Sequence, residues 1–424
     1  IGNNYKKVIM WMIHSGIIIT DNYYVPGQKC KYYRLMPHYL GSSDRWITVT
    51  CESIKRKQHR SSWSIAPKAV NYLSKWLTPE HLSIDVEAAK EVLEYECFKK
   101  VKNYKGEYPL TKEMHARVNY NVSLGIVDDI KQLRDPLLQD DFGYRLHTPL
   151  TRVKKIIRGH ITSHGKPLVQ VDIKNSQLLF SLWLLNSDNW KINPKNHREV
   201  KSIFTDTSYK IGKIKRISDK NSNNYNTIMI LQRLEKRYGK GLSEHSYCKD
   251  VCDGLLYEKV VAALDQISYF KNSYSFKKKR KKVKTILLRM LFADPNNEDH
   301  QKSVYNDKNT PIWKCFEHLY PEIADVFLEI KMYNYKDLCM LLQRIEATGM
   351  LSKVCLALQK QLPEAPVFTI HDCLVTTVDH VEAVKEIMQK AISDFIGFKA
   401  SVSEEKWSDF CSKLPKKLQP KMAA

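Results

Sequence analysis

Two acidic residues stand in otherwise apolar segments that are far apart in the chain. In "VFTIHDCLVTT", residues 367–377, His371 and Asp372 follow an apolar run, and in "GKPLVQVDIKNSQLLF" Asp172 follows the run 168–171. A buried carboxylate is unfavourable unless it is paired, hydrogen-bonded or bound to metal. Carboxylate oxygens are the hard ligands that Mg²⁺ prefers, so two such strands predict a two-metal site with Asp172 and Asp372 as ligands. For 367–377 alone, the alternative is a strand that ends at Ile370 in an ordinary turn.

A strongly basic helix is predicted between these two segments, in "KKKRKKVKTILLRMLFADP", residues 277–295. Because positions four apart drift by only about 40° on a helix, Arg280, Lys284, Leu288 and Phe292 form one stripe. Its basic end suits a triphosphate and its apolar end suits a base. The alternative is a solvated basic helix or a localisation-type charge run.

The elements around these residues begin with a predicted helix and hairpin. "NYKKVIMWMIHSG" has one apolar helical face, and the next segment alternates like two strands around a Pro26-Gly27 turn. The helical face consists of Val8, Ile9, Met12 and Ile13. A basic hairpin that carries Lys29 and Lys31 resembles the wing of a winged-helix module on DNA. A small α+β subdomain with a solvated hairpin is the alternative interpretation.

The remaining chain is predicted to be mainly helical before the first acidic strand and mixed after it. Helical apolar spacing runs from "WSIAPKAVNYLSKWL" to "TKEMHARVNYNVSLGIVDDIKQLRD", with breaks at Pro79 and "NYKGEYP". The polar, basic segment 202–226 is typical of an exposed loop or insertion. Helical spacing returns in "GLLYEKVVAALDQI".

The composition favours a polyanionic partner. The chain of 424 residues has 68 Lys+Arg against 46 Asp+Glu, which gives a formal charge of +22. Nucleic acid is favoured over an acidic membrane surface, because no apolar run reaches the roughly 18 residues of a spanning helix. Ten cysteines are scattered, and the pair Cys248 and Cys252 lacks the second half of a zinc site. Free thiols in an intracellular, cytoplasmic protein are therefore expected.

The order of these elements resembles the palm and fingers of family A polymerases, the superfamily of bacterial polymerase I and of the single-subunit phage-type RNA polymerases. The first motif of that family is an Asp after an apolar strand with Ser-Gln close behind. The second is a helix of the pattern R-x-x-x-K, and the third is a strand that ends in His-Asp. The three motifs are matched in order by Asp172, Ser176 and Gln177; by Arg280 and Lys284; and by His371 and Asp372.

Two further segments extend the resemblance over roughly 142–400. "FGYRLHTPLTRVKKIIRGHI" resembles the segment in which arginines approach primer-template and nucleotide, at Arg145 and Arg158. "LLQRIEATGMLSKVCLALQKQLP" resembles the helix that carries a polar residue toward the template, at Gln343 and Glu346. The resemblance implies that these four residues bind nucleic acid.

The resemblance also implies a fold, cofactors and partners. The fold is α+β, a right-hand polymerase with an antiparallel palm sheet and helical fingers and thumb, preceded by the winged-helix-like module. The implied divisions are 1–60 for the module, 61–140 for a helical linker or thumb, 141–200 for the palm, 201–310 for the fingers and 311–424 for the rest of the palm and a basic tail. Two Mg²⁺ ions are implied, with Mn²⁺ able to substitute, and DNA primer-template and dNTPs are the partners, with rNTPs as an alternative.

The resemblance assigns roles to the matched side chains. Asp172 and Asp372 hold the metal ions, Lys284 assists the chemistry and His371 contacts the primer terminus. The nucleotide-binding residues are Arg280, Lys284, Leu288, Phe292 and Gln177.

The chain departs from the family pattern at positions that bear on sugar selection. Leu288 replaces a usual aromatic residue, and Phe292-Ala293 replaces Tyr-Gly. An ungapped count from Asp172 places Gln177 where DNA polymerases of the family block a ribose hydroxyl, whereas a count from Ser-Gln places Leu179 there. Both side chains are bulky, which favours DNA synthesis. Cys373 stands where polymerase I carries Glu and the RNA-polymerase branch carries a small Ser, and this weakens that preference.

Several functions agree with these patterns. A DNA-directed DNA polymerase that extends a primer without proofreading is the main interpretation, suited to a phage, plasmid or mobile element. Proofreading is not expected, because the 140 residues before the palm lack clustered acidic motifs. A single-subunit RNA polymerase or primase is the alternative enzyme. A replication-initiator-like DNA-binding protein would use the N-terminal module instead, and a structural basic protein would leave both acidic strands unexplained.

Overall fold

The computed structural model describes residues 5–20, 33–36, 67–102, 109–133, 137–140, 142–189, 233–239, 241–271, 273–294, 310–332 and 334–420. The chain divides into two compact units, Ile1–Ser62 and Trp63–Ala424. The predicted loop 202–226 lies outside the described residues. The finer predicted division of the second unit stays a prediction.

The N-terminal unit contains the predicted helix and a pair of strands. Helix α1 spans Tyr5–His14, and strands β1 (Ile18–Thr20) and β2 (Tyr33–Leu35) pair antiparallel. The predicted helical face is confirmed, since its four apolar residues are less exposed than the intervening positions 7, 10 and 11. Lys29, Lys31 and the Pro26-Gly27 turn lie outside the described residues, so the winged-helix prediction stays a prediction.

The second unit opens with the predicted helices and short strands. These elements are α2 (Pro67–Ser74), β3 (Ser83–Ile84), α3 (Val86–Lys102), α4 (Pro109–Gln132), β4 (Leu138–Gln139), β5 (Leu146–His147), α5 (Pro149–Arg152) and α6 (Lys155–Arg158). They confirm the helical spacing of that part of the sequence. Within the described chain, no helix has the length and apolar character needed to cross a membrane.

A six-stranded antiparallel sheet carries both acidic segments. Its strands are β3, β6 (Ile161–Ser163), β7 (Lys166–Ile173), β8 (Val367–Ile370), β9 (Cys373–Thr377) and β10 (Val402–Lys406). The order is β3-β6-β7-β9-β8, and β10 pairs with the C-terminal part of β7, residues 169–173. The long strand β7 therefore lies between two partners and is rich in β-branched residues that suit a buried sheet.

Apolar side chains from the two faces of the sheet enter two cores. Val171 and Leu374 belong to one core, and Phe368 and Val375 belong to the other. Alternation of side chains along each strand explains this division. Helix α7 (Ser176–Leu185), which is apolar on nearly every side, lies in the first core.

A group of helices follows between the two acidic strands. It comprises α8 (Ser246–Cys252), α9 (Leu256–Gln266), α10 (Phe276–Phe292), α11 (Thr310–Leu319), α12 (Pro321–Lys331) and α13 (Lys336–Ala347). The predicted basic helix is confirmed as α10. Buried Lys331 donates from its Nζ to the carbonyl oxygens of Met290 and Ala293, and so satisfies carbonyl groups at the end of α10.

Helix α13 continues into a π-helix, Thr348–Cys355, and then into α14 (Leu356–Gln361). A side chain at Gly349 would place its Cβ 3.1 Å from ring atoms of Phe180 and Phe395. The glycine therefore lets this segment approach α7 and the last helix, α15 (Val381–Ile396). These contacts fix the end of α13, which carries Glu346, against the core beside β7.

Candidate functional site

Asp172 and Asp372 meet at one end of the sheet, which we call the aspartate edge. Asp172 is the penultimate residue of β7 and lies directly opposite Cys373 of β9. The backbone N–H of Ile173 donates to the carbonyl oxygen of Asp372 at 3.3 Å. Since paired strands lie about 4.8 Å apart, the register brings together two acids that are far apart in sequence. Both aspartates are half-buried.

A tight turn presents Asp372 at this edge. His371 and Asp372 form the two-residue connection between β8 and β9, and His371 has a φ of 55°. Two-residue hairpin loops favour a positive φ at such a position, and His tolerates it better than most residues. Burial, with the nearby charges of Arg145 and His147, lowers the pKa of His371 to about 4. The imidazole is therefore neutral at physiological pH.

Asp172 is held by a hydrogen-bond network that was not predicted from the sequence. Buried Gln170 donates from Nε2 to Oδ2 of Asp172 at 2.5 Å. Its Oε1 accepts from Arg158 Nη1 at 3.2 Å and from Trp407 Nε1 at 3.1 Å. The contact could have been predicted from the spacing of two residues, which puts Gln170 and Asp172 on the same face of β7.

No described cation forms an ion pair with either aspartate, although other described acids do have such partners. Hard oxygen donors without a protein cation fit Mg²⁺, which commonly uses one or two carboxylates together with waters and substrate phosphates. Among the described residues, no group of three or more His, Cys, Asp and Glu side chains could hold a metal ion.

Cys373 lies beneath the aspartate edge. Its thiol is buried, and burial, followed by the charge of Asp172 and a hydrogen bond to it, raises its pKa well above the ordinary value. The group is therefore a neutral thiol. A longer acidic side chain at this position would point into the second core, where Cys373 packs.

A second acidic group adjoins the edge, and we call it the glutamate cluster: Glu346, Arg145 and Gln177. Glu346 Oε1 accepts from Nε and Nη2 of Arg145, both at 2.8 Å, and Oε2 accepts from Gln177 Nε2 at 2.5 Å. Burial raises the pKa of Glu346 to about 7, Arg145 opposes this, and the charge of Asp372 adds to it. A small cavity bounded by Arg145, Glu346 and His371, among others, joins the cluster to the turn.

The other predicted nucleic-acid residues are placed differently. Arg158 is 8 % exposed and is turned into the Gln170 network. Gln343 is half-buried and packs against Gly143, where an added Cβ would come within 2.4 Å of Gln343 Oε1. Of the two sugar-selecting positions considered, Leu179 is buried in the core, whereas Gln177 belongs to the glutamate cluster. Contact of Arg145, Arg158, Gln343 and Glu346 with nucleic acid stays a prediction.

The predicted stripe on α10 is half-buried along its whole length. Arg280 donates from Nε to Glu258 Oε1 at 2.5 Å, and its guanidinium lies 5.3 Å from the centroid of the Tyr257 ring. Lys284 Nζ lies 5.9 Å from the same ring. Leu288 and Phe292 pack against the first core. The cationic end of the stripe is therefore held by α9, and its contact with a nucleotide stays a prediction.

Comparisons with known proteins assign the chain to no family. No protein-family model matches it, and no curated protein matches it. Among solved structures, it is similar to the POL domain of Pol1 from M. smegmatis, in a complex with DNA primer-template and dNTP, with a TM-score of 0.45 and 8 % sequence identity. The similarity covers 82 % of this chain and 70 % of that chain.

Proposed function

We propose that the chain is a template-directed nucleotidyltransferase, most simply a DNA-directed DNA polymerase that extends a primer. The observation that carries this proposal is the meeting of Asp172 and Asp372 at the end of two paired strands, with no ion pair to either carboxylate among the described residues. Two such carboxylates, in a chain with a large surplus of cationic side chains, suit transfer of a charged phosphoryl group, which depends on positioning and charge stabilisation.

In this proposal, the antiparallel sheet is the palm and the helices α8–α12 are the fingers. Helices α3 and α4 would form a thumb-like region, and the N-terminal unit would be a winged-helix-like DNA-binding module. The cationic surplus of the chain would follow the phosphate backbone without reading sequence.

Asp172 and Asp372 would hold the divalent ions, and Gln170 would keep Asp172 oriented through its 2.5 Å hydrogen bond. When bound, Mg²⁺ lowers the pKa of a primer 3′-hydroxyl and neutralises charge on the triphosphate and the leaving pyrophosphate. Arg280 and Lys284 would neutralise the remaining phosphate charge. To do so, Arg280 would leave the carboxylate of Glu258 and pair with the substrate instead. Phe292 would pack on the new base pair.

His371 would contact the primer terminus as a neutral group. Its Nδ1 is buried and has no hydrogen-bond partner in the described structure, and its pKa is lowered to about 4. A neutral imidazole can both donate and accept a hydrogen bond. The side chain therefore suits a sugar or base contact better than a phosphate contact.

Primer extension with purified protein tests the proposal. Asp172→Asn and Asp372→Asn should each reduce Mg²⁺-dependent incorporation by about a thousandfold or more, because each removes several kcal/mol of charge stabilisation. Asp379→Asn is the matched control, since Asp379 is an exposed acid just after β9 that pairs with Lys166. Undiminished synthesis by either site variant would refute the assignment.

The same assay separates the alternative functions. Incorporation of rNTPs in place of dNTPs, or synthesis without a primer, would indicate an RNA polymerase or primase. Binding to a defined duplex with no incorporation under any metal condition would indicate an initiator-like protein. Either result would replace the DNA-polymerase proposal.

A further inference from the structure

Glu346 occupies an unusual position for a residue predicted to touch nucleic acid. It is 1 % exposed, and both of its carboxylate oxygens are already used by protein donors. Oε1 accepts two N–H groups of Arg145, and Oε2 accepts the side-chain amide of Gln177. These contacts join α13 to segments that precede it by 201 and 169 residues.

The two partners of Glu346 border the aspartate edge. Gln177 is the second residue of α7, the helix that begins just after Asp172 at the end of β7. Arg145 shares a small cavity with His371, the neighbour of Asp372. A shift of the Glu346 carboxylate would therefore move Gln177, which lies near Asp172, and Arg145, which lies near His371.

A carboxylate fixes the orientation of these partners in a way that an amide would not. When Glu346 is ionised it only accepts hydrogen bonds, and Gln177 accordingly presents its NH₂ to it. Its Oε1 is then directed elsewhere, and it is buried without a hydrogen-bond partner in the described part of the chain. With Gln at 346, one side of the new amide is a donor, and Gln177 can turn over to accept from it.

We propose that Glu346 is a positioning residue for nucleotidyl transfer: it holds Arg145 and the amide of Gln177 in fixed orientations beside Asp172 and Asp372. It acts through these two side chains and does not itself contact nucleic acid. This inference rests on the proposed function. It replaces the nucleic-acid role that the sequence suggested for Glu346.

The proposal separates activity from stability. Replacement of a buried ion pair by a neutral group of similar volume is often neutral or stabilising. In Glu346→Gln, Arg145 and Gln177 both keep a partner, so the protein should melt within about 2 °C of the wild type or higher. A misplacement of about 1 Å can reduce a rate by about a hundredfold. We therefore expect kcat/KM for nucleotide incorporation to fall by about 10- to 100-fold, with Kd for primer-template unchanged within about threefold.

Asp250→Asn is the matched control for a purely structural effect. Asp250 is also a buried carboxylate with two partners, Lys259 Nζ at 2.7 Å and the hydroxyl of Tyr320 at 2.9 Å, but it lies on α8. This variant should keep kcat/KM, and its melting temperature should change little for the same reason as in Glu346→Gln. If Glu346→Gln loses stability and activity together, as a structural residue would, the positioning role is overturned.

A double-mutant cycle with Gln177→Met tests the route of the effect. If Glu346 acts partly through Gln177, the loss caused by Glu346→Gln should be smaller in the Gln177→Met background by about threefold or more. Additive losses would overturn this route, and wild-type kcat/KM in Glu346→Gln would overturn the positioning role while leaving the proposed function intact. No incorporation by the wild-type protein would refute the proposed function and this inference with it. Activity lost in Asp172→Asn and Asp372→Asn but kept in Glu346→Gln would support the proposed function alone.

Discussion

Two acidic groups lie side by side in this protein, and they are treated in opposite ways. The carboxylate of Glu346 is buried and receives three N–H donors, two of them from a guanidinium. Asp172 receives an amide donor from Gln170, and no described cation pairs with Asp172 or Asp372. The half-buried aspartates retain oxygen atoms that a metal ion can use, whereas the oxygen atoms of Glu346 are committed to the protein.

The difference shows that an acid in an apolar segment does not by itself define a role. Asp172 and Glu346 are each flanked by two buried apolar residues, Val171 and Ile173 in one case and Ile345 and Ala347 in the other. A carboxylate that is neutralised by the fold can only orient its partners. A carboxylate without such a partner is suited to a ligand that brings positive charge with it.

The largest expected effect concerns the two aspartates together. Asp172→Asn combined with Asp372→Asn should abolish incorporation, a loss of about a thousandfold or more, yet leave the melting temperature in metal-free buffer unchanged or higher. Removal of two adjacent like charges that form no ion pair within the described part of the chain relieves repulsion. Calorimetry in EDTA measures this. A clear decrease in melting temperature would show that the carboxylates stabilise the fold and would remove the contrast with Glu346.

The pH dependence of stability should distinguish Glu346 next. Burial, opposed by Arg145, raises the pKa of Glu346 from 4.5 to about 7, so the folded chain keeps a proton that the unfolded chain loses in this range. The free energy of unfolding should therefore fall as pH rises from about 4.5 to 7, by up to about 3 kcal/mol for this group. Glu346→Gln exchanges no proton there. Urea unfolding of both proteins from pH 4.5 to 8 should show that the free energy of unfolding of the wild type falls relative to that of Glu346→Gln. A constant difference between the two proteins would contradict the prediction.

Gln170→Met should have an intermediate effect on activity. The change removes the donor that orients Asp172 and the acceptor shared by Arg158 and Trp407. Loss of such a supporting partner commonly reduces metal affinity or activity by about 10- to 100-fold. A Mg²⁺ titration of primer extension should show a higher metal requirement. An unchanged titration with lower stability would indicate that Gln170 supports only the core.

The smallest expected effect is a metal-dependent gain in stability. At Mg²⁺ concentrations about ten times Kd, binding to the folded state alone contributes about 1.4 kcal/mol. The wild type and Glu346→Gln should both gain this, and the double aspartate variant should not. Differential scanning fluorimetry with and without Mg²⁺ measures the gain. An equal gain in the double aspartate variant would place the metal elsewhere.

The local features of the site could be predicted from the sequence. The alternative interpretation of 367–377, a strand that ends at Ile370 in a turn, is confirmed, and the strand that carries Asp172 and the basic helix α10 follow from alternation and helical spacing. The convergence of the two aspartates was also expected, because two carboxylates that meet in one sheet can bind the same metal ions, and this accounts for an acid in each apolar segment. The register of the two strands was not predicted, and it is known only from the pairing of β7 with β9.

The long-range polar partners could not be predicted. Trp407 is 237 residues from the Gln170 side chain that it contacts, and nothing local in "VSEEKW" indicates that β10 pairs with β7. The inward orientation of Glu346 and Arg158 likewise depends on which helix packs beside β7. The family resemblance implies that these residues bind nucleic acid, and in the described structure Glu346 contacts Arg145 and Gln177, whereas Arg158 contacts Gln170.

The N–H of Ile173 that bonds to the carbonyl of Asp372 is main chain, and so are the bonds that set the register of β7 against β9. The distance between the two acids is thus determined by atoms that every amino acid except proline possesses. Mutations that exchange one apolar side chain for another in either core can accumulate without changing it. A descendant of this chain could lose most recognisable identity and still hold its two carboxylates at the same separation.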